Sequence, residues 1–312
     1  MIILFPYPLN AVIVLLLDTF GICLSFWVYR ANKLSKVNRG FSLMVASILA
    51  WITFYHFAQY DNSTFWYRLS VASVFLFLIA YYFFIVRWFL QKSEWYKSFG
   101  IFVLLYGLIF GILSVTTNLI IADSETLGQL LTKPVLGYLG WWILYIFAML
   151  VTLVINWALI KDYLTYSKEN KLKIQYFLMG LIIFAGLNII FNIIIPVFFN
   201  DYRLYEIGNY SLIFFLVFTA YAIVKHKLFD VKILISQLLV FMIWTFVATR
   251  VALSTSRQEL LINSSLALLV FISGILLLRS ISKEKELAEK LHKELSKKTG
   301  ELIKKMEDIV KE

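Results

Sequence analysis

The chain has 312 residues, of which 61% are hydrophobic, 18% aromatic and only 15% charged. An average soluble domain is about 45–50% apolar and about 25% charged, and no soluble fold of this size has an interior large enough for so much apolar surface. The composition therefore predicts a protein surrounded by lipid, and it excludes a soluble enzyme, a disordered chain and a nucleic-acid-binding domain. The net charge of +10 does not argue for nucleic acid, because membrane proteins concentrate Lys and Arg in the loops between their spans.

Residues that build disulfides, metal sites and active sites are scarce in this chain. The single cysteine, Cys23, excludes a disulfide framework, and the three histidines at 56, 226 and 292 have no metal-ligand spacing. We find no Gly-rich phosphate loop, no His-Glu-x-x-His motif and no paired carboxylates within an apolar run, and we predict no β-strands. We therefore expect no catalytic activity, no metal and no cofactor. The apolar start of the chain has no basic region, so we expect no cleavable signal peptide.

Apolar runs of the length needed to cross a bilayer, about 20 residues, divide the chain into predicted helices. Seven runs are long and strongly apolar: 9–29, 41–60, 69–90, 99–121, 138–160, 174–199 and 207–224. Two weaker runs follow at 233–251 and 262–279. The first of these contains several polar residues and is also compatible with an interfacial helix. A pair of crossings would return the Lys-rich tail to the cytoplasmic side, where Lys and Arg accumulate in membrane proteins. We therefore predict nine spans.

The distribution of Lys and Arg predicts the orientation of these spans. Five of the 29 basic residues lie at one set of helix ends: Arg68, Lys133, Arg203, Arg250 and Arg257. The others lie at the opposite ends and in the C-terminal tail. Because Lys and Arg accumulate on the cytoplasmic side, the sequence predicts a multipass protein of the plasma membrane. Its N-terminus would be outside and its C-terminus in the cytoplasm.

From Ile281 the composition changes to Lys, Glu and Leu, and apolar residues recur every seven positions at 281, 288, 295, 302 and 309. This spacing is that of the a positions of a coiled coil, but the d positions are mostly charged. Gly300 weakens the helix further, by about 1 kcal/mol relative to Ala. The tail is therefore predicted as a marginal coiled coil, continuous with the last span, through which we expect a homodimer. A solvated single helix is the alternative.

Polar groups inside the spans are costly in lipid and are therefore candidates for function. Asp18 lies in the middle of the first span and His56 near the end of the second. Asn188 and Asn192 stand one turn apart in the sixth span, one turn before Pro196, which frees a backbone carbonyl near Asn192. Each group either lines a ligand pocket or forms hydrogen bonds between helices. The predicted ligand-pocket residues are Asn188, Asn192, Tyr210, His56 and Asp18.

Small residues in the fourth span form a stripe on one face. Gly107, Gly111, Ser114 and Asn118 are spaced three or four residues apart, so they lie along the same side of a helix. Such a stripe lets a neighbouring helix approach closely. We therefore favour helix packing over ligand binding for this face.

One segment resembles a known family. Phe218-Thr-Ala-Tyr-Ala-Ile-Val-Lys-His-Lys-Leu-Phe-Asp-Val is similar to the conserved end of the seven-helix sensor region at the N-terminus of many bacterial histidine kinases. Asn192-Ile-Ile-Ile-Pro196, Gly208 and Ser211 also resemble that family, as does the apolar hairpin that leads into Lys283. The resemblance implies a membrane sensor that relays a stimulus through a signalling helix to a cytoplasmic kinase output domain, usually as a dimer. The predicted coupling elbow comprises Lys225, His226, Lys227, Leu228, Phe229 and Asp230.

The chain departs from this family after the signalling helix. His292 stands in Leu-His-Lys-Glu, which is not the phosphoacceptor motif of a kinase, and no ATP-binding boxes follow it. We therefore interpret His292 as a surface residue of the tail helix. The output domain is expected to be missing from this chain or supplied by another protein.

These observations predict an all-α integral membrane protein, a multipass helical bundle with a cytoplasmic coiled-coil signalling helix. We assign residues 1–230 to a seven-helix sensor domain, 231–280 to a two-span coupling hairpin and 281–312 to the signalling helix. The predicted function is that of a transmembrane sensor in a two-component-type system. Its expected partners are the lipid bilayer, an unidentified small-molecule or lipid stimulus and a cytoplasmic kinase or other output domain. A secondary transporter or a membrane scaffold protein is the alternative.

Overall fold

The structure is a computed structural model that describes residues 7–61, 63–89, 94–127, 131–165, 168–199, 201–226, 235–254 and 256–311. Helices make up most of this chain, because a backbone in hydrocarbon has no water to bond and must pair its N–H and C=O groups within the segment. The residues fall into two compact units, 1–245 and 246–312.

The first unit begins with four long helices: α1 (Tyr7–Ala31), α2 (Lys36–Asp61), α3 (Thr64–Phe89) and α4 (Glu94–Thr116). The predicted spans 9–29 and 41–60 lie within α1 and α2. The predicted fourth span, 99–121, ends too late, because the polar residues from Thr116 to Asn118 end the helix. Ile120 and Ile121 remain fully buried, but Ile120 lies in the turn after the helix and Ile121 is the first residue of a strand.

A β-hairpin connects α4 to the next helix, and our prediction that the chain has no strands is therefore wrong. Strands β1 (Ile121–Leu127) and β2 (Leu131–Leu136) pair in antiparallel register, with Glu125 opposite Lys133. The side chains of these two residues form a salt bridge of 3.2 Å. The segment is too polar for hydrocarbon and too short for a span. A hairpin with one solvated face provides hydrogen-bond partners for most of its backbone N–H and C=O groups.

The remaining helices of the first unit contain several irregular turns. A π-helical segment, Trp141–Ile146, leads into α5 (Phe147–Thr165), and α6 (Lys168–Asn188) continues through a second π-helical segment, Ile189–Ile194, into α7 (Ile195–Phe199). The next predicted span consists of two helices that adjoin at Ser211, α8 (Tyr205–Tyr210) and α9 (Leu212–His226). The first unit ends within α10 (Ile235–Ala252), since the boundary between the two units lies after Thr245.

Seven helical stretches of the described chain are long and apolar enough to cross a membrane. They are Leu9–Ala31, Lys36–Asp61, Thr64–Ile85, Lys97–Thr116, Gln175–Phe199, Tyr205–Ile223 and Arg257–Ser280. The predicted fifth and eighth spans, 138–160 and 233–251, overlap with two shorter apolar helices, Phe147–Lys161 and Leu239–Val251. The prediction of a multipass helical membrane protein is confirmed at this level, with seven full-length candidates where we predicted nine spans.

Aromatic side chains join the central helices of the first unit. Phe41 of α2, Phe84 of α3, Phe177 of α6 and Phe215 of α9 are all fully buried. The ring centroids of Phe41 and Phe84 are 5.8 Å apart, and those of Phe177 and Phe215 are 5.5 Å apart, both in edge-to-face geometry. Each such pair contributes about 0.5–1.5 kcal/mol beyond the burial of area. Phe84 and Phe177, with ring centroids 5.9 Å apart, link these two pairs, so that α2, α3, α6 and α9 surround one core.

The stripe of small residues on α4 packs against α3. A Cβ atom on Gly107 would lie 2.7 Å from the Ile79 side chain, and one on Gly111 would lie 3.6 Å from Phe75. Ser114 is fully buried and its hydroxyl donates to the Gly111 carbonyl at 2.7 Å. The interpretation of this stripe as a packing surface is confirmed for Gly107, Gly111 and Ser114, whereas Asn118 is exposed and lies beyond the end of α4.

The second unit contains the end of α10 and the single helix α11 (Arg257–Lys311). With 55 residues, α11 is about 82 Å long. It runs unbroken through the predicted ninth span and the charged tail, including Gly300. Where the chain turns from α10 into α11, the Asn263 amide donates to the Ser254 hydroxyl at 2.8 Å.

Candidate functional site

Asn188 and Asn192 lie where α6 passes into its π-helical segment. Asn188 Nδ2 donates to the carbonyl oxygens of Phe184 and Gly208, each at 2.9 Å. Asn192 Nδ2 donates to Asn188 Oδ1 at 2.8 Å and to Asn209 Oδ1 at 2.9 Å. A π-helical turn displaces backbone groups from their usual partners. The two amides supply polar partners at that point, where lipid offers none.

The junction between α8 and α9 lies against these amides. The Ser211 hydroxyl donates to the Gly208 carbonyl and lies 3.2 Å from Asn188 Nδ2. A Cβ atom on Gly208 would lie only 2.1 Å from Asn192 Oδ1, so this close approach of the two segments requires glycine. Asn192, Asn209 and Ser211 are all buried. Two irregular helices are therefore joined directly by buried hydrogen bonds.

A cavity of about 110 Å³ lies beside this polar network, among α2, α3, α5 and α6. Asn188 and Asn192 form part of its wall, together with Tyr205 at the start of α8. Most of the remaining wall is aromatic or aliphatic, including Trp51, Phe77, Tyr81, Tyr145, Met149 and Phe184. A molecule in this cavity would therefore touch the irregular part of α6 directly.

The other three predicted pocket residues are not part of the cavity wall. Asp18 joins α1 to α2, since its Oδ2 atom accepts a hydrogen bond of 2.8 Å from the Thr53 hydroxyl. His56 lies on α2, half-buried beside Phe57. Tyr210 interacts with the Glu206 carboxylate, one turn earlier in α8. The structure thus brings Asn188 and Asn192 together at the cavity and places the other three residues elsewhere.

Glu206 is a polar residue that our sequence reasoning missed, because it stands just before the predicted seventh span. Its carboxylate accepts a hydrogen bond of 2.8 Å from Asn10 Nδ2, and Asn10 is buried. Tyr210 approaches the same carboxylate from within α8. The spacing of Glu206 and Tyr210, four residues apart on one helix face, is the signal that would have indicated the pair.

Tyrosine side chains fill the space between this carboxylate and the end of α2. The rings of Tyr55 and Tyr205 are stacked with their centroids 4.6 Å apart. Gln59 Nε2 donates to the hydroxyl groups of Tyr55 and Tyr67, at 2.9 and 2.7 Å. Since Tyr205 also lines the cavity, this cluster connects the cavity wall to the polar end of the bundle.

Arg68, at the start of α3, holds the β-hairpin against the first unit. Its Nε atom donates to the Ile121 carbonyl at 3.2 Å, and its guanidinium also bonds to the side-chain oxygen of Asn118. On the neighbouring strand, the Lys133 ammonium lies 6.0 Å from the centre of the Tyr202 ring. Burial raises the pKa of the Tyr202 phenol, and the Lys133 charge partly offsets that effect. We call this end of the first unit, which contains the hairpin, Arg68 and Lys133, the hairpin end.

Asp123 in β1 makes a second link between the hairpin and α3. Its carboxylate accepts hydrogen bonds from the Ser124 backbone N–H at 2.8 Å and from the Thr64 hydroxyl at 3.0 Å. These two bonds, with a smaller contribution from the positive charge of Arg68, lower the pKa of Asp123 below its ordinary value of 3.8. The carboxylate is therefore the form that holds β1 to the start of α3.

The predicted coupling elbow lies mainly beyond the described residues. Lys225 and His226 end α9, but their side chains are not among the described atoms. The residues from Lys227 to Asp230 lie outside the described ranges altogether. Within those ranges, no group of three or more His, Cys, Asp or Glu residues is arranged to hold a metal ion.

Comparisons of the chain with protein-family models, with curated proteins and with solved structures found no significant match. A functional proposal for this protein therefore depends on the geometry of the cavity, the two irregular helices and α11.

Proposed function

We propose that this chain is the transmembrane sensor module of a two-component-type signalling system. The observation that carries the proposal is α11. Its apolar stretch, Arg257–Ser280, is long enough to cross a bilayer and continues without a break into a Lys- and Glu-rich helix that ends at Lys311. An unbroken helix transmits a shift or rotation of its membrane part to whatever domain is attached at its far end.

The irregular helices beside the cavity support a sensing role. The π-helical segment of α6 and the junction of α8 with α9 are held by side-chain hydrogen bonds from Asn188, Asn192 and Ser211. π-Helical turns occur frequently at functional sites, where a small repacking changes the register of a helix. A stimulus that occupies the cavity in only one of two packings would shift the population between them.

The tail helix supports an arrangement as a homodimer with a cytoplasmic output domain. Leu291 and Leu295 occupy d and a positions of the heptad pattern, and in the single chain they are 51% and 63% exposed. Apolar a and d side chains are covered when two such helices form a coiled coil. A kinase or other output domain joined to a paired helix would respond to a change in its register.

The positions of the basic residues support an N-terminus outside and a C-terminus in the cytoplasm of a bacterial cell. Arg68 and Lys133 lie at the hairpin end of the first unit, whereas Arg30 and Lys161 lie at the opposite ends of their helices. The end that is poorer in Lys and Arg is proposed to face outwards. The cavity then lies in the outer half of the membrane.

A fusion protein tests this proposal. A histidine-kinase output module is joined after Glu312 through linkers that lengthen by one residue at a time over two helical turns. If α11 transmits a rotation, kinase activity in isolated membranes will rise and fall with a period of about 3.6 residues. Activity that is independent of linker length would contradict transmission through a rigid helix.

Variants of the polar network provide the second arm of the same experiment. Asn188→Ala and Asn192→Ala remove hydrogen bonds between the two irregular helices, and we expect each to change kinase output severalfold. Ser47→Ala is the matched control, since the Ser47 hydroxyl bonds only within its own helix, to the Leu43 carbonyl at 2.7 Å. Unchanged output from both Asn variants at normal membrane levels would remove the sensing site from the proposal.

A secondary transporter is the second candidate, favoured by the pair of interrupted spans. Transporters commonly bind substrates and ions where two discontinuous helices meet within the membrane. Here the irregular turns of α6 and the α8–α9 junction meet at Asn188, Asn192 and Gly208. Purified protein in liposomes with a trapped pH-sensitive dye tests this candidate. Ion-coupled solute uptake that Asn192→Ala abolishes would favour a transporter over the sensor.

A further inference from the structure

The cavity beside α6 borders the lipid-facing surface of the bundle. Met149 of α5 lines the cavity and is also 41% exposed on the outside of the unit. Ala185 of α6 and Ile189, the first residue of the π-helical segment that follows α6, line the same cavity and are themselves only partly covered. Residues on both sides of the gap between α5 and α6 thus belong to the cavity wall and to the exposed surface, and this gap is the route from the cavity to the hydrocarbon that their exposure indicates.

The N–H donors of the two asparagine amides in the cavity wall are already used by the protein, and Asn192 Oδ1, which has no hydrogen-bond partner among the described residues, is buried against Gly208. Asn188 Nδ2 donates to two carbonyls and approaches the Ser211 hydroxyl, and Asn192 Nδ2 donates to two side-chain oxygens. These partners also fix the orientation of both amides, since a flipped amide would place oxygen against oxygen. The Tyr81 hydroxyl on the opposite wall donates to Asn156 at 3.0 Å. A polar ligand would have to break these bonds, whereas an apolar one leaves them intact.

The size of the cavity limits its occupant to a slender group. Its volume of about 110 Å³ is smaller than the roughly 150 Å³ of an engineered protein cavity that takes up benzene. A fused-ring molecule would not fit, but a few methylene groups of an extended chain would. Aromatic and aliphatic walls favour such a group over water.

We propose that this cavity binds the terminal segment of a linear apolar chain, which enters from the hydrocarbon between α5 and α6. The head group of that molecule stays in the membrane interface, outside the cavity. A membrane phospholipid and a free long-chain alcohol both carry a chain of this chemistry. That the bound chain is the stimulus of the sensor rests on the proposed function. That the cavity binds such a chain does not depend on the proposed function.

Photo-crosslinking of the full chain in liposomes tests this site. One preparation contains a phosphatidylcholine with a diazirine near the methyl end of one acyl chain, and another receives a free long-chain alcohol with the same group. A third contains a phosphatidylcholine with the diazirine on its head group. We expect the first probe, the second, or both to label Met149, Ala185 and Ile189, and the head-group probe to leave them unlabelled. Labelling by only one chain probe identifies the source of the chain.

Filling the cavity provides the matched comparison. Ala185→Phe on α6 and Ala148→Phe on α5 each add a ring to the cavity wall, and each should reduce labelling at Met149 and Ile189 about tenfold. Leu105→Trp is the control, because Leu105 lies on an exposed face of α4 and is not part of this wall. Two variants are used so that misfolding of one, detected by thermal unfolding, does not decide the result.

Labelling spread evenly over lipid-facing residues, such as Ile112 of α4, would overturn the proposal. So would labelling that both filling variants leave unchanged. Because crosslinking needs no kinase output, a cavity that takes up the chain while output in the fusion protein stays constant would reject only the sensory role of the site.

Discussion

Asn10 and Glu206 are separated by 196 positions in the chain, yet the Asn10 amide donates a hydrogen bond of 2.8 Å to the Glu206 carboxylate. The bond joins the start of α1 to the start of α8, two residues before Gly208. It therefore ties the first helix of the bundle to one of the two irregular segments beside the cavity. A buried pair of this kind is costly to break, because the remaining partner keeps its desolvation penalty.

We expect Glu206→Ala to lower the free energy of unfolding by about 1–3 kcal/mol, because the buried Asn10 amide loses its acceptor. Glu206→Gln keeps a side-chain oxygen at the same place and should cost less. Thermal unfolding in detergent measures both values. Glu125→Ala is the control, since it removes an exposed ion pair that contributes at most about 1 kcal/mol. A Glu206→Ala protein as stable as the original chain would show that the bond does not hold α1 to α8.

Gly208→Ala should destabilise the first unit by about 1–3 kcal/mol, the usual cost of overpacking a buried contact. The added Cβ would lie 2.1 Å from Asn192 Oδ1, so the α8–α9 junction or the Asn192 side chain has to move. Gly186→Ala is the matched control, because no atom outside its neighbouring residues and the backbone of its own helix lies within 4 Å of the added Cβ. Removal of a helical glycine there should be neutral or stabilising by up to about 1 kcal/mol. Equal unfolding temperatures for the two variants would contradict the close approach.

Arg68→Gln should release the β-hairpin without unfolding the helices. The substitution removes the donors to the Ile121 carbonyl and the Asn118 side chain. We expect amide hydrogen exchange in Ile121–Leu127 to become at least severalfold faster, while exchange in α2 stays unchanged. Lys97→Gln, at an exposed position near the start of α4, is the control. Unaltered exchange in β1 would show that Arg68 is dispensable for docking.

Docking of the hairpin should weaken in acid. Since the pKa of Asp123 is lowered in the folded protein, its contribution is fully present above the ordinary value of 3.8 and is lost as the pH falls through the lowered value. Exchange protection of β1, corrected for the intrinsic pH dependence of exchange, should therefore decrease in that range. Asp123→Asn removes the titrating group and should remove this dependence. A variant with the same acid response as the original chain would assign it to another residue.

The proposed orientation predicts which side chains are accessible from outside the cell. In a Cys23→Ser background, Glu125→Cys places a thiol on the hairpin and Leu295→Cys places one on the tail. A membrane-impermeant maleimide should label the first in intact cells and the second only after permeabilisation. Labelling of the tail thiol in intact cells would reverse the orientation, and the proposed cytoplasmic signalling helix would then be wrong.

Two kinds of helix were predicted with different success. The extents of α1 and α2 follow from apolar runs that end at the charged residues Arg30 and Asp61, because hydrocarbon admits little else. The end of α4 and the hairpin were missed, since a polar segment of this length has no distinctive periodicity. The π-helical segment beside Asn188 was missed as well. An apolar helix and its π-helical variant have the same composition, and only the neighbouring Gly208 and Asn209 distinguish them.

Composition by itself determined the environment of this protein and most of its helices, because the cost of placing polar backbone and charge in lipid is large and local. The tertiary structure decided which polar residues meet. Asn10 and Glu206, or Asn192 and Asn209, are partners only because helices distant in sequence pack side by side. It also decided where space remains, since a cavity among α2, α3, α5 and α6 is a gap between surfaces and is a property of no single helix.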